Sequence, residues 1–221
     1  QMIHKVAVLG AGTMGAQIAG HAANAGLSVL LLDVTTKQTQ AALLALEKSS
    51  PPSLFVPSNI RQIEAGNFED DMVRIKDADW IIEAIVEDLE IKKRLLATVD
   101  SVRRPGALVT TNTSGLSVTA MAQDRSPDFR RHWFGTHFFN PPRYMKLLEV
   151  IPTAETDSAV LAEFQRFAEI ILGKGVVHAK DTPNFIANRI GLFAALKAIQ
   201  LMRQGGFTVE EVDRLTGPFI G

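Results

Sequence analysis

The chain has 221 residues, 46 % of them hydrophobic, with 23 basic and 24 acidic side chains and a formal net charge of −1. That balance supplies no long-range field to gather nucleic acid or an anionic membrane surface, and the hydrophobic content is that of a globular protein. The absence of cysteine excludes disulfides and thiolate metal sites and fits a reducing cytoplasm, while no apolar run reaches the ~18 residues of a membrane span.

The chain opens on a strand at 3–9 that runs straight into Gly10-Ala11-Gly12-Thr13-Met14-Gly15, followed by a helix over 13–25 that Gly26 stops. A second apolar strand, 29–33, ends in Asp33. A glycine turn between strand and helix also serves purely structural ends. Here the strand, the helix and an acid at the expected distance are all present, which is the context of a dinucleotide site. Gly10 permits the tight turn, Gly12 lets the backbone approach a pyrophosphate, and Gly15 lets the helix pack on the sheet. The phosphates would sit at the helix N-terminus beside Thr13 and Met14, where free amides and the helix dipole favour anions. Asp33 would hold the adenosine ribose and repel a 2′-phosphate, so NAD is expected as cofactor in preference to NADP.

Further strands are expected at 80–84, 107–111, 133–137, 147–151 and 175–179, alternating with helices at 37–47, 89–102 and 158–172. That order gives an α/β fold with a Rossmann-type doubly wound, mainly parallel sheet. The stretch from Ser49 to Gly66 holds three prolines and few regular signals, and reads as a surface excursion. Beyond Pro183 the character changes. Residues 184–202 are apolar nearly all round, including Phe185, Ile190, Phe193, Leu196 and Ile199, so that helix should be buried on several sides. Gly205-Gly206 stops it, and Thr208 with Glu211 forms a capping box for another helix. The division is therefore an NAD-binding domain at 1–183 and the start of an all-α domain at 184–221, close to the ~40-residue minimum for an independent core and so a fragment of one. A helix this apolar would self-associate, so a homo-oligomer is expected.

Chemistry needs a base, and His137 is the candidate. It ends a strand, and ligands of open α/β sheets gather beyond the C-terminal strand ends. A neutral imidazole can take the proton of an alcohol near pH 7 as hydride leaves. Glu149, twelve positions on in the next strand, can return its carboxylate to that imidazole. By spacing alone such a pair serves structure as often as chemistry. His4, His21, His132 and His178 lack a comparable partner and read as surface or core histidines. No metal site is expected, since the chain has neither a His-Glu-x-x-His motif nor a Cys ligand set.

Taken in order, the glycine motif, Ile82-Glu83-Ala84-Ile85-Val86-Glu87, Asn112-Thr113-Ser114-Gly115, Gly135-Thr136-His137-Phe138-Phe139-Asn140-Pro141, Leu148-Glu149-Val150-Ile151 and Lys180-Asp181-Thr182-Pro183-Asn184-Phe185-Ile186-Ala187-Asn188-Arg189 resemble the L-3-hydroxyacyl-CoA dehydrogenase family of fatty acid β-oxidation. The resemblance spans nearly the whole chain. It implies His137 as catalytic base with Glu149 its partner, Ser114 and Asn188 holding the substrate oxygen and the nicotinamide side, and Glu87, Lys92 and Asn140 near NAD. Lys92 lies in a charged helical stretch that also reads as a solvated face. The implied reaction is oxidation of (S)-3-hydroxyacyl-CoA to 3-oxoacyl-CoA. A short-chain 3-hydroxybutyryl-CoA dehydrogenase and a catalytically silent NAD-binding module are the alternatives. Two departures from the family pattern stand out: the excursion is short, with Arg61 its obvious cation where relatives carry lysines for CoA, and the helical domain stops soon after Gly217-Pro218-Phe219. The Asn140-Pro141-Pro142-Arg143 turn and the Leu54-Phe55-Val56-Pro57 loop look most like those of long bacterial members in which the dehydrogenase portion leads into an enoyl-CoA hydratase portion.

Overall fold

In a computed structural model, residues 3–217 are described. Eight strands form one sheet in the order β3-β2-β1-β4-β5-β6-β7-β8. β1 (Lys5–Leu9), β2 (Ser28–Asp33), β4 (Trp80–Glu83), β5 (Leu108–Thr111) and β6 (Trp133–Phe138) are joined by parallel pairings, and β3 (Ile63–Asn67) pairs parallel to β2 at the edge. The direction reverses once. β7 (Leu147–Pro152) runs antiparallel to β6, because a short turn joins them, and β8 (Gly175–His178) follows β7 in parallel.

Alternate residues of the central strands feed two cores, one on each face of the sheet. Val6, Val8, Trp80, Ile82 and Phe134 pack under α1 (Thr13–Asn24) and α6 (Ser158–Ile170), which contribute Ile18 and Phe164. Ala7, Leu9, Ile81, Val109 and Trp133 meet Leu96 and Val99 of α3 (Leu89–Val102), together with Met121 of α4 (Val118–Met121) and Phe129 of α5 (Pro127–Arg131). The helices begin where side chains satisfy their free amides. Asp88 caps α3 through Ile91, Asp157 caps α6, and Thr35 with Gln38 forms a capping box at α2 (Thr36–Glu47).

The stretch 49–66 differs from the expectation of an irregular excursion. It contains a 3-10 turn at Pro57–Gln62 and the whole of β3 but its last residue. β3 has one apolar buried residue at its start and a glycine and asparagine at its end, so periodicity does not reveal it; pairing along β2 makes it a strand. The excursion is pinned by Asn24, which donates to the Ser53 carbonyl at 2.8 Å and accepts from the Phe55 amide at 2.8 Å. Arg143 donates to the carbonyls of Pro52 and Leu54 at 2.6 and 2.7 Å.

The second correction concerns the apolar helix. It starts at Ala187 rather than 184, because Asn184 and Phe185 both take left-handed backbone, with φ of 62° and 47°. Instead of being buried on several sides, α7 (Ala187–Gly205) has no buried residue, and Ile190, Phe193 and Leu196 are each at least 60 % exposed. Of the described elements α8 (Val209–Thr216) lies against it. Gly206 closes α7 in the left-handed conformation, and the Thr208–Glu211 capping box starts α8. The Pro218-Phe219 part of the closing element lies outside the described residues. No described helix is long and apolar enough to cross a membrane.

Candidate active site

The turn after β1 supplies the first half of the site. Gly10 has φ +109°, and a Cβ there would lie 2.5 Å from the Ala84 carbonyl oxygen. At Gly15 a Cβ would fall 1.9 Å from the Gly10 carbonyl oxygen, so both positions require glycine to bring β1, α1 and β4 together. Gly12 is different. A Cβ there would meet nothing within 4 Å, so its bareness faces open space rather than protein. α1 begins at Gly12 with no side-chain cap, leaving the amides of its first turn, at Thr13 and Met14, as donors for an anion. Asp33 accepts from the Ala11 and Val34 amides, each at 2.6 Å, and remains half-buried at the cleft edge. A cleft of about 650 Å³ bordered by Gly10, Gly12, Asp33, Phe68 and Ile85 joins these parts. Unfilled amides, a bare Gly12 and an acid at the end of β2 fit a dinucleotide such as NAD.

The second half stands on β6 and β7. Their antiparallel register sets His137 directly opposite Glu149. Nδ1 of His137 is 2.8 Å from Oε2 of Glu149, with both side chains 5 % exposed or less. The other carboxylate oxygen, Oε1, accepts the amides of Ile186 at 3.1 Å and Ala187 at 2.8 Å, at the start of α7. The imidazole packs against Phe139, ring centroids 4.5 Å apart, and against Phe185, 5.6 Å apart. The left-handed pair Asn184-Phe185 turns the Phe185 ring onto the histidine, and a Cβ on Gly115 would meet the Asn184 side chain at 3.0 Å. With Nδ1 held by the carboxylate, Nε2 is the nitrogen left to take a proton.

Between these halves lies a buried polar network. Glu83, at the end of β4 and fully buried, accepts from Lys92 Nζ at 2.6 Å, the Ile85 amide at 2.8 Å and Thr111 Oγ1 at 2.5 Å. Lys92 also reaches the Ile85 carbonyl and Glu87, each at 3.3 Å. Glu87 accepts the Ser114 amide at 2.8 Å and the Thr113 hydroxyl. Partial burial of Glu87 raises its pKa, but the Thr113 hydroxyl, the Lys92 charge and the Ser114 amide together hold it below the usual carboxylate value. Lys92, 1 % exposed, is therefore neither a solvated surface charge nor a free cation in the cleft. Its neighbours connect it to the cleft through Glu87. Ser114 is exposed three residues past β5, Asn188 is half-buried in the first turn of α7, and Asn140 is exposed in the turn after β6. The structure brings His137, Glu149 and the start of α7 into contact; Ser114 joins the Lys92 network instead.

Three residues had no individual place in the sequence reading. Glu83 was hidden in a strand motif. Asn112 accepts the Phe138 amide at 2.9 Å beside the histidine, and Asp181 accepts from Ser117, Val118 and Thr119, tying the stretch before α7 to the loop after β5. A buried acid at a strand end is the signal that marks Glu83.

Residues 5–182 match the family described as 3-hydroxyacyl-CoA dehydrogenase, NAD binding domain. The chain belongs to this family. A probable 3-hydroxyacyl-CoA dehydrogenase of Bacillus subtilis is 50 % identical over 99 % of this chain, which spans 30 % of that protein. Another of Deinococcus radiodurans is 46 % identical over 99 % of the chain, spanning 65 % of it. The chain thus covers between about a third and two thirds of these relatives. The crystal structure of Mycobacterium tuberculosis FadB2 superposes with a TM-score of 0.86 at 30 % identity, covering 98 % of this chain and 77 % of that one. The family is one of NAD-dependent oxidoreductases, which agrees with the glycine loop and Asp33.

Proposed function

We propose that the protein oxidises (S)-3-hydroxyacyl-CoA to 3-oxoacyl-CoA in fatty acid β-oxidation, with residues 1–183 as the NAD-binding domain and 184–221 as the start of a helical domain. The observation that carries the reading is the buried His137–Glu149 pair at the same edge of the sheet as the glycine loop. His137 Nε2 takes the proton of the substrate hydroxyl. Glu149 holds the imidazole by Nδ1 and stabilises the charge it acquires. NAD, when bound, supplies the acceptor for the hydride from C3. Ser114 and Asn188 steady the substrate oxygen and the nicotinamide side, Gly10 to Gly15 and Asp33 hold the dinucleotide, and Glu87, Lys92 and Asn140 shape its nicotinamide end. Phe139 and Phe185 exclude water from the imidazole.

The acyl-CoA substrate, a homo-oligomer formed through the apolar face of α7, and an enoyl-CoA hydratase portion in the long form belong to the same reading. A short-chain 3-hydroxybutyryl-CoA preference is its variant. The test is NADH formation from 3-hydroxyacyl-CoAs of several chain lengths, with this chain and with a longer form that carries the whole helical domain. The longer form should turn over with a clear length preference, while this chain binds NAD and turns over poorly. No NADH from any of these substrates with the longer form would overturn the proposal in favour of a silent NAD-binding module.

A further inference from the structure

The network around Lys92 spans two sides of the cleft. Glu83 faces Leu9 of β1 and Thr111 of β5 in the sheet register, so it stands between the strand that feeds the glycine loop and the strand that leads to Ser114. Its three bonds use both oxygens, and one goes to an ammonium that is itself buried. A buried charge of this kind is held only where its partners surround it. Lys92 then touches Glu87, which is 44 % exposed and has in turn the amide of Ser114 and the hydroxyl of Thr113. From buried to exposed, the order is Glu83, Lys92, Glu87, Ser114.

We infer that Glu83 is a positioning residue: through Lys92 it fixes Glu87, and through Glu87 it holds the 113–115 loop where Ser114 can serve the substrate. Its consequence for turnover rests on the proposed function, but its geometry does not. Glu83 touches no expected ligand. Its effect runs through Lys92 and Glu87 to where Ser114 stands, and so reaches turnover from the substrate side as well as from the nicotinamide end of the cofactor.

Two variants test it. Glu83→Gln keeps the size and one acceptor but removes the charge that holds Lys92. Because that leaves a buried ammonium with the half-exposed Glu87 as its carboxylate partner and risks misfolding, Glu83→Gln/Lys92→Met is made beside it, removing both charges while keeping an apolar stem of similar length. Hydrogen–deuterium exchange of residues 112–117, the melting temperature, NAD affinity by direct titration and, in the longer form, NADH turnover are read on each. The inference expects the double variant to melt near the parent, exchange at 112–117 to quicken at least tenfold in both variants, turnover to fall about tenfold, and NAD affinity to weaken more in the double variant, which removes Lys92 from the nicotinamide end, than in Glu83→Gln. A double variant whose exchange at 112–117 matches the parent would show the pair to be structural only and would overturn it. Faster exchange in a protein whose parent form gives no NADH would leave the positioning standing and remove the proposed function instead.

Discussion

Glu149 and Ala187 are joined by a 2.8 Å hydrogen bond from the amide at the start of α7 to the carboxylate oxygen that does not face His137. One side chain therefore ties the imidazole to the helix that carries Asn188. The backbone needs no side-chain cap at this helix N-terminus because Glu149 supplies the acceptor from a distant strand.

Glu149→Gln should consequently cost more than the loss of an orienting charge. Its amide nitrogen would have to face either His137 Nδ1 or the α7 amides, and it cannot accept from both. In a form of the protein that turns over, kcat should fall by about 10² or more, with NAD affinity nearly unchanged, as measured by steady-state kinetics and by direct titration.

Gly12 and Gly15 should fail in different ways. Gly12→Val places its side chain in open space, so folding survives and NAD binding is lost, seen as an unchanged melting temperature with no quenching by NAD. Gly15→Ala drives a Cβ into the Gly10 carbonyl and should lower the melting temperature itself.

Asp33→Ala should weaken NAD binding and narrow the gap between NAD and NADP, because the carboxylate proposed to meet the ribose and repel a 2′-phosphate is gone. Paired titrations of the parent and the variant with both dinucleotides check it. Equal affinity in the parent would contradict the role given to Asp33.

His21, buried in α1 with Nε2 3.0 Å from the Leu172 carbonyl oxygen, has its pKa lowered to about 4 by burial and by the nearby Lys174 charge. As pH falls below 6.5 the unfolded imidazole takes a proton that the folded one refuses until about pH 4, so unfolding gains. The loss approaches ~3 kcal/mol by pH 4, from the difference between 6.5 and about 4. His21→Gln should flatten that part of the curve in urea unfolding measured from pH 7 to 4.

Much of this was legible from residue patterns. The strand at Val29 to Asp33 and the glycine loop follow from apolar runs broken by glycine, and α3 spans 89–102 as expected because Asp88 caps it and its apolar face is periodic. The pairing of His137 with Glu149 followed from a short turn between two strands. β3 was not legible because an edge strand with Glu64, Gly66 and Asn67 has neither alternation nor a continuous apolar run. Nor was the role of Lys92. A lysine among charged neighbours on a helix looks solvated, and only the meeting of α3 with the end of β4 buries it against Glu83.

The measurement that bears most directly on the whole is the turnover of His137→Gln beside its NAD affinity, in the longer form with 3-hydroxybutyryl-CoA and a longer 3-hydroxyacyl-CoA. The account predicts a fall in kcat of about 10² or more with NAD affinity within threefold of the parent, and little further loss when Glu149→Gln is added, since both act on one proton transfer. Near-normal turnover of His137→Gln, or a full second loss from Glu149→Gln, would contradict it.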